Sequence, residues 1–318
     1  MKLTGEQLKK IYFGALWFQE DAEGYLHAFQ YTKQQMDYLK GAADFWYERC
    51  AASSAKTLEF NTTATEGTFE YKLEWVGSCD SVEVWVDGLA TEICYLKDMG
   101  KEGTIRFFLP AGEKEVIIYL PADATLLIRN FELNAEWTPT EKKGKLLWMG
   151  DSITQGFGPL RSAHTYVSVA NRLLNYEVLN LGIGGYIYDK NILMPMHEYR
   201  PDKIVISMGT NQYGTEAMED IEEYYVRLKE LYGETPVLCI LPIWRGDNPE
   251  GVPTLEKFCK RLKEIVQTYD NIMVVEGFSL VPHLSEYFLD NLHPNCLGSE
   301  MYGRNLVLEM EKLGFIIE

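Results

Sequence analysis

The chain has 318 residues, 46% of them hydrophobic and 24% charged, a composition typical of globular proteins with a sizeable core. Its formal net charge of −17 argues against nucleic acid, acidic membranes and polyanionic substrates as partners, because binding them requires concentrated positive charge. No apolar run approaches the roughly 20 residues that span a bilayer. The length predicts two domains, and the charge favours a neutral or cationic substrate.

The first half of the chain carries the pattern of short strands. Apolar and polar residues alternate at 68–76 and 81–86, and further short strand-like runs lie at 104–109, 115–120 and 126–133, with Gly, Pro or Asp between the runs. This pattern predicts an antiparallel β-sandwich or jelly-roll domain over residues 1–137. A helix is expected over 33–45, and the run at 11–18 favours a first strand or short helix over a secretory signal peptide.

After a polar linker predicted at 138–144, strands and helices alternate. Nearly all-apolar runs predict strands at 145–149, 177–181, 203–208, 236–241 and 272–275. The clearest helix is expected at 253–268, where apolar residues recur with helical spacing. Strands of this kind predict a parallel sheet covered by helices on both faces, which binds ligands at the carboxyl ends of its strands.

Polar residues and glycines that could take part in catalysis or binding lie where these strands end. The first strand ends in a Gly-Asp-Ser sequence at Ser152, the second in the glycines of 182–185, and the third in Gly-Thr-Asn at Asn211; Asp290 and His293 follow late in the chain. Each segment has an ordinary structural explanation, as a helix cap or a tight turn. The glycine run is not a G-x-G-x-x-G sequence and no G-K-[ST] follows, which argues against a nucleotide site.

Taken together, the four segments resemble the four sequence blocks of the SGNH (GDSL-type) esterase family in their order and in their position near strand ends. The resemblance extends from Leu146 to near the C-terminus. It implies a three-layer α/β/α, flavodoxin-like hydrolase domain over residues 145–318. It also implies an enzyme that needs neither a cofactor nor a metal.

The resemblance assigns a role to each segment. Ser152 would be the nucleophile, His293 the base that activates it, and Asp290 the acid that orients the imidazole. The oxyanion donors would be the backbone N–H groups of Ser152 and Gly185 and the side-chain amide of Asn211. Gly184 is the alternative to Gly185, and the residues alone do not decide between them.

Other side chains fall near the same edge of the predicted sheet. Aromatic and basic residues there are candidates for substrate contact, with core or rim packing as the alternative. These candidates are Tyr186, Tyr213, Trp244 and Arg245. His164 is expected to be a surface or packing histidine; because it follows the nucleophile closely, lining of the pocket is the alternative.

Six cysteines lie far apart and form no C-x-x-C pair, so the sequence contains no zinc-site spacing. They are expected to be free and mostly buried, which favours a reducing compartment and hence the cytoplasm. The sequence does not indicate an oligomeric state.

A β-sandwich before an SGNH domain resembles the two-domain carbohydrate esterases of family two, which remove acetyl groups from sugar hydroxyls. Some members of that family use a Ser–His dyad, whereas Asp290 here favours a full triad. The expected activity is hydrolysis of short acyl esters, acetyl above all, on a sugar or oligosaccharide. The alternatives are a lipase, thioesterase or acyltransferase acting on another acyl group, and an inactive carbohydrate-binding protein. The sugar, the ester position and any contribution of the first domain to the site stay open.

Overall fold

The computed structural model describes residues 1–78 and 80–316. The first half consists of strands and a few helices. The strands are β1 (Tyr12–Phe13), β2 (Trp17–Glu20), β3 (Leu26–Phe29), β4 (Thr57–Thr62), β5 (Glu66–Val76), β6 (Ser81–Val86), β7 (Leu89–Tyr95), β8 (Glu102–Phe108), β9 (Lys114–Tyr119), β10 (Ala124–Leu133) and β11 (Trp137–Pro139). The helices are α1 (Gly5–Ile11), α2 (Lys33–Ala42) and α3 (Asp44–Cys50).

These strands form two antiparallel sheets packed face to face. One sheet has the order β1-β4-β9-β6-β7, with β11 also paired to β4, and the other has the order β2-β3-β10-β5-β8. Alternation along β5 turns Phe69, Tyr71 and Leu73 into the space between the sheets, where Phe69 stacks on Phe131 of β10. The predicted β-sandwich is confirmed.

The second half is an α/β unit. Its strands are β12 (Lys145–Gly150), β13 (Glu177–Gly182), β14 (Lys203–Ser207), β15 (Val237–Ile240) and β16 (Ile272–Val275). Its helices are α4 (Ser152–Gln155), α5 (Tyr166–Leu174), α6 (Met218–Tyr232), α7 (Val252–Val266) and α8 (Cys296–Lys312). All strand pairs are parallel, in the order β13-β12-β14-β15-β16, which is the flavodoxin-like order predicted.

Helices cover both faces of this parallel sheet, as the apolar strands require. Along β12, Leu147 and Met149 pack in the layer that holds α6 and α7, whereas Leu146 and Trp148 pack in the layer that holds α5 and α8. Strands β13 and β14 lie on opposite sides of β12, so the strand order reverses direction beside β12. The carboxyl ends of these three strands therefore border the crevice where doubly wound sheets bind ligands.

The structure corrects two boundaries of the prediction. The helix expected over 33–45 is instead two helices, α2 and α3, separated at Ala43, whose backbone is extended. These helices pack on the α/β unit: Leu39 and Cys50 belong to the same buried cluster as Leu147. Strand β11 also extends to Pro139, so regular structure continues into the stretch predicted as a linker.

Polar contacts hold the sandwich against the α/β unit. The guanidinium of Arg161 pairs with both carboxylate oxygens of Glu83, Nε to Oε1 at 2.9 Å and Nη2 to Oε2 at 2.6 Å. Glu83 also accepts hydrogen bonds from Ser81 and Trp85, and its side chain is fully buried. On the other side of the interface, the Tyr31 hydroxyl donates to the carbonyl of Leu181 at 2.6 Å. The two halves thus share a buried, hydrogen-bonded interface.

Two kinds of feature are absent from the described residues. Within 1–78 and 80–316, no helix is both long and apolar enough to cross a membrane. The same residues contain no group of three or more His, Cys, Asp or Glu side chains placed to hold a metal ion.

Candidate active site

Strand β12 delivers Ser152 to the carboxyl edge of the sheet. A side chain at Gly150 would lie 2.8 Å from the carbonyl oxygen of Ser207, so only glycine fits where the strand ends. Asp151 then caps α4 by accepting the N–H of Ile153 at 3.0 Å. Complete burial raises the pKa of Asp151 to about 7. Ser152 is the first residue of α4, and its N–H therefore has no partner within the helix.

The structure joins Ser152, His293 and Asp290 in one chain of hydrogen bonds. Ser152 Oγ lies 2.8 Å from His293 Nε2, and His293 Nδ1 lies 2.8 Å from Asp290 Oδ2. Because a carboxylate only accepts, the proton of the neutral imidazole is assigned to Nδ1, which leaves the Nε2 lone pair facing the serine hydroxyl. This is the arrangement in which a serine hydroxyl can transfer its proton to a base.

Asp290 is held by the loop that it orients. Its Oδ1 accepts the backbone N–H groups of His293 at 2.8 Å and Leu292 at 3.1 Å. Partial burial raises the pKa of Asp290, but the hydrogen bonds from the backbone and side chain of His293 outweigh burial and keep that pKa below its usual range. The side chain of Asp290 is 45% exposed, whereas that of His293 is 13% exposed and packs edge-on against Phe157 at 4.7 Å.

The loop after β13 presents the N–H of Gly185 at this edge. The N–H of Gly184 donates to Gln155 Oε1 at 2.6 Å and is therefore occupied. Gly185 is exposed, has a φ of +71°, and donates its N–H to no described residue. Asn211, in the loop after β14, donates one amide hydrogen to the carbonyl of Tyr186 at 2.9 Å and is otherwise exposed. This geometry favours Gly185 over Gly184 as an oxyanion donor and leaves a second amide hydrogen of Asn211 free.

Two of the side chains predicted to contact substrate are instead engaged within the protein. Tyr186 is 3% exposed, so its ring belongs to the core and its carbonyl holds Asn211 instead. Arg245 pairs with Asp247 and donates to the carbonyl of Thr210 at 3.0 Å. Its guanidinium is thus already bound within the protein. Tyr186 and Arg245 therefore hold neighbouring loops in place.

The other predicted contacts are also engaged in packing. Trp244 stacks on His283 at 5.2 Å, and the Tyr213 hydroxyl accepts a hydrogen bond from Asn248 at 2.7 Å. His164 lies at the domain interface, with its ring 5.8 Å from that of Trp85 of the sandwich. His164 therefore packs at the interface, as favoured from the sequence, and does not line the pocket, because the loop after α4 carries it toward the sandwich.

A comparison of the sequence with known families identifies this half of the chain. Residues 148–301 match the GDSL-like Lipase/Acylhydrolase family. They form a GDSL (SGNH) hydrolase domain. The predicted family is confirmed, and this GDSL domain contains all of the proposed reacting groups. No curated protein matches the chain by sequence.

Solved structures share the two-domain architecture at low sequence identity. A putative GDSL-like lipase from Bacteroides ovatus has a TM-score of 0.77 at 16% identity, covering 100% of this chain and 98% of that one. The salicylyl-acyltransferase SsfX3 from a tetracycline biosynthetic pathway has a TM-score of 0.73 at 19% identity, covering 96% and 95%. A family two carbohydrate esterase from Clostridium thermocellum, in complex with cellohexaose, has a TM-score of 0.66 at 17% identity, covering 83% and 94%. At these identities the similarity shows the fold.

The structure adds residues at the site that sequence reasoning missed. Phe45 of α3 is 50% exposed, and its ring lies 3.4 Å from where a side chain at Gly185 would begin. Arg49 stacks on that ring at 3.5 Å, and Trp46 packs edge-on against Tyr186 at 4.8 Å. No local pattern connects α3 to the GDSL domain. Only Gln155 and Phe157, which follow Ser152 closely, could have been suspected from their spacing.

Proposed function

We propose that this protein is a serine ester hydrolase that removes short acyl groups, acetyl above all, from carbohydrate hydroxyls. The observation that carries the proposal is the unbroken hydrogen-bonded chain from Ser152 through His293 to Asp290. It is supported by Gly185, which is exposed in the loop after the neighbouring strand β13 and whose N–H donates to no described residue. This arrangement supports the assignment of a nucleophile, a base, an orienting acid and an oxyanion donor to one site.

In the first half of the reaction, Ser152 Oγ attacks the ester carbonyl while its proton passes to His293 Nε2. The carbonyl π-electrons move to oxygen, and this oxyanion accepts hydrogen bonds from the N–H groups of Ser152 and Gly185 and from Asn211. Asp290 stabilises the imidazolium that forms. When the intermediate collapses, the C–O bond of the ester breaks and the departing alcohol takes the proton from Nε2.

In the second half, water repeats these steps on the acyl-enzyme. His293 Nε2 removes a proton from water, and the resulting hydroxide attacks the carbonyl carbon of the acyl-serine. Collapse of the second intermediate expels Ser152 Oγ, which recovers its proton from His293. The products are a carboxylic acid and the free enzyme.

Charge and surroundings support a neutral sugar ester as substrate. The net charge of −17 disfavours polyanionic substrates. The exposed ring of Phe45 offers an apolar face next to Gly185, and such faces suit the apolar faces of sugar rings. A family two carbohydrate esterase of similar fold has been seen with cellohexaose. The described cysteines are all free, which supports a reducing location such as the cytoplasm.

The test is acetate release from a panel of acetylated mono- and oligosaccharides, set beside aryl esters of increasing acyl length. We expect acetyl esters of sugars to be the best substrates and the Ser152→Ala variant to be inactive. Preference for long acyl chains would instead indicate a lipase or thioesterase.

Two further outcomes separate the remaining alternatives. Transfer of the acyl group to an added alcohol or amine in preference to water would indicate an acyltransferase, the activity named for the similarly folded SsfX3. Sugar binding by a wild-type protein that turns over no ester would indicate an inactive carbohydrate-binding protein.

A further inference from the structure

The side chain of Gln155 connects the β-sandwich to the loop that carries Gly185. Gln155 is the last residue of α4 and is 2% exposed. Its Nε2 donates to Asp123 Oδ1 of the sandwich at 2.7 Å, and its Oε1 accepts the N–H of Gly184 at 2.6 Å. One carboxamide thus spans the domain interface, from a carboxylate on one side to a backbone amide on the other.

The chemistry of the three groups allows a single orientation of this carboxamide. A carboxylate can only accept and a backbone N–H can only donate, so the NH2 group must face Asp123 and the oxygen must face Gly184. With Asp123 in place, a flipped amide would set donor against donor and acceptor against acceptor. Asp123 therefore determines which end of Gln155 faces the loop.

The sandwich side also holds the backbone of this segment. The hydroxyl of Ser54 donates to the carbonyl of Gln155 at 2.5 Å and accepts a hydrogen bond from Asn180 at 2.8 Å. Asp123 itself is 4% exposed, directly before β10, and its carbonyl accepts the N–H of Gly77 at 2.9 Å. The partners of Gln155 in the first half of the chain are therefore buried and fixed by hydrogen bonds.

The hydrogen bond from the Gly184 N–H to Gln155 affects the position of the next residue, Gly185. The bond to Gln155 anchors Gly184 toward the interior, and the next N–H along the chain is that of the exposed Gly185, whose φ is +71°. An oxyanion donor misplaced by about 1 Å can cost on the order of 100-fold in rate. The loop must therefore be held firmly for Gly185 to act.

We propose that Asp123 is a positioning residue for the oxyanion hole, acting through Gln155 on the loop of Gly184 and Gly185. The β-sandwich is thereby a working part of the active site, although it supplies none of the proposed reacting groups. This inference rests on the proposed esterase function. The connection itself follows from two hydrogen bonds and the polarity of their partners.

The test exchanges the two polar groups between the domains. Gln155→Glu places a second carboxylate against Asp123 and should lower kcat by about 10- to 100-fold, less than the loss of a whole oxyanion donor, with KM changed by no more than about 3-fold. Adding Asp123→Asn restores a donor opposite the introduced glutamate, whose other oxygen still accepts the N–H of Gly184. The double variant should therefore recover kcat to within about 5-fold of wild type. Asp98→Asn, at an exposed position of the sandwich, is the matched control.

A readout without turnover keeps the inference separate from the proposed function. Hydrogen–deuterium exchange at residues 183–186 should accelerate in Gln155→Glu and in Asp123→Ala, and should slow again in the double variant. If the wild type hydrolyses no ester, the proposed function fails while the exchange data still test the connection. Should Gln155→Glu not fold, Asp123→Ala supplies the same comparison of kcat, KM and exchange.

The inference is overturned by a specific pattern. Asp123→Ala with a lowered unfolding temperature, but with kcat and exchange at 183–186 unchanged, would show that the contact only stabilises the interface. Failure of Asp123→Asn to rescue a folded Gln155→Glu variant would have the same meaning.

Discussion

The two halves of this protein take part in the active site in different ways. In the GDSL domain every strand of the parallel sheet ends at the same edge, so Ser152, Gly185 and Asn211 meet there although they are distant in sequence. In the sandwich, antiparallel strands alternate in direction, and their loops are divided between two ends. What this half contributes to the site comes from helix α3 and from the turn at Asp123. A parallel sheet thus concentrates the reacting groups, while the antiparallel partner supports them.

The largest loss of activity is expected from substitutions of the proposed nucleophile and base in the GDSL domain. Ser152→Ala and His293→Ala should each lower kcat by up to about 10⁶-fold, because nucleophile and base act as a unit. Steady-state hydrolysis of an aryl acetate measures this, with circular dichroism to check the fold. His197→Ala, at an exposed position, is the matched histidine control. Near-normal turnover in either variant would falsify the proposed roles.

Asp290→Ala should be less damaging than either of these changes. The acid orients and stabilises the imidazolium but transfers no proton, so the expected loss in kcat is at most about 10⁴-fold. Because the carboxylate is 45% exposed, water can partly replace it, which further favours residual activity. Measuring kcat for both variants under identical conditions decides the order. A loss equal to that of His293→Ala would contradict the purely orienting role.

A substitution in the sandwich should lower the stability of the protein more than it lowers activity. Glu83→Gln leaves Arg161 without its buried partner and should lower the free energy of unfolding by about 3–5 kcal/mol. Although burial raises the pKa of Glu83, Arg161 and its other partners lower it below its usual range. The stabilisation is therefore present above the ordinary glutamate pKa and lost as the pH falls through the lowered pKa.

Urea unfolding at pH 7 and in acid measures the effect of Glu83→Gln. The difference from wild type should shrink in acid, and kcat should fall far less than in Ser152→Ala. Glu113→Gln, at an exposed position of the sandwich, is the control. A loss of activity as large as that of Ser152→Ala, without a loss of stability, would contradict the supporting role of the interface.

Asn211→Ala should cost about 100- to 1,000-fold in kcat, the typical value of one oxyanion donor. KM for the ester should change little, since the donor acts mainly on the charge that develops in the transition state. Kinetics of Asn211→Ala and Asn211→Asp together measure this, because the aspartate keeps the shape but cannot donate. Full activity in the aspartate variant would show that Asn211 is not an oxyanion donor.

The smallest effect is expected at Phe45. Phe45→Ala should raise KM for acetylated sugars by about 3- to 10-fold through loss of an aromatic contact, and should leave aryl acetates nearly unaffected. Phe108→Ala, which removes a 65% exposed ring from β8, is the matched control. Equal effects on both substrates would show that Phe45 matters for packing and not for sugar recognition.

Much of the fold follows from local patterns. The apolar runs of β12 to β16 predict a parallel sheet because only a strand buried on both faces tolerates continuous apolar sequence. Less could be predicted of the segment 33–50, where Ala43 interrupts a helical pattern and the helices pack on the other domain. Amphipathic spacing shows that a helix has an apolar face but not which surface will cover it.

For the site, the sequence by itself pointed to four of the proposed reacting groups: Ser152 and Asn211 at predicted strand ends, and Asp290 and His293 late in the chain. For the loop N–H donor it offered Gly185, with Gly184 as the alternative. It could not assign Tyr186 to the core, choose between the two glycines, or connect Asp123 with Gln155. Only the tertiary structure decided these points. Whether a side chain or an N–H is free or already bound depends on partners far away in the chain, and no local pattern records such partners.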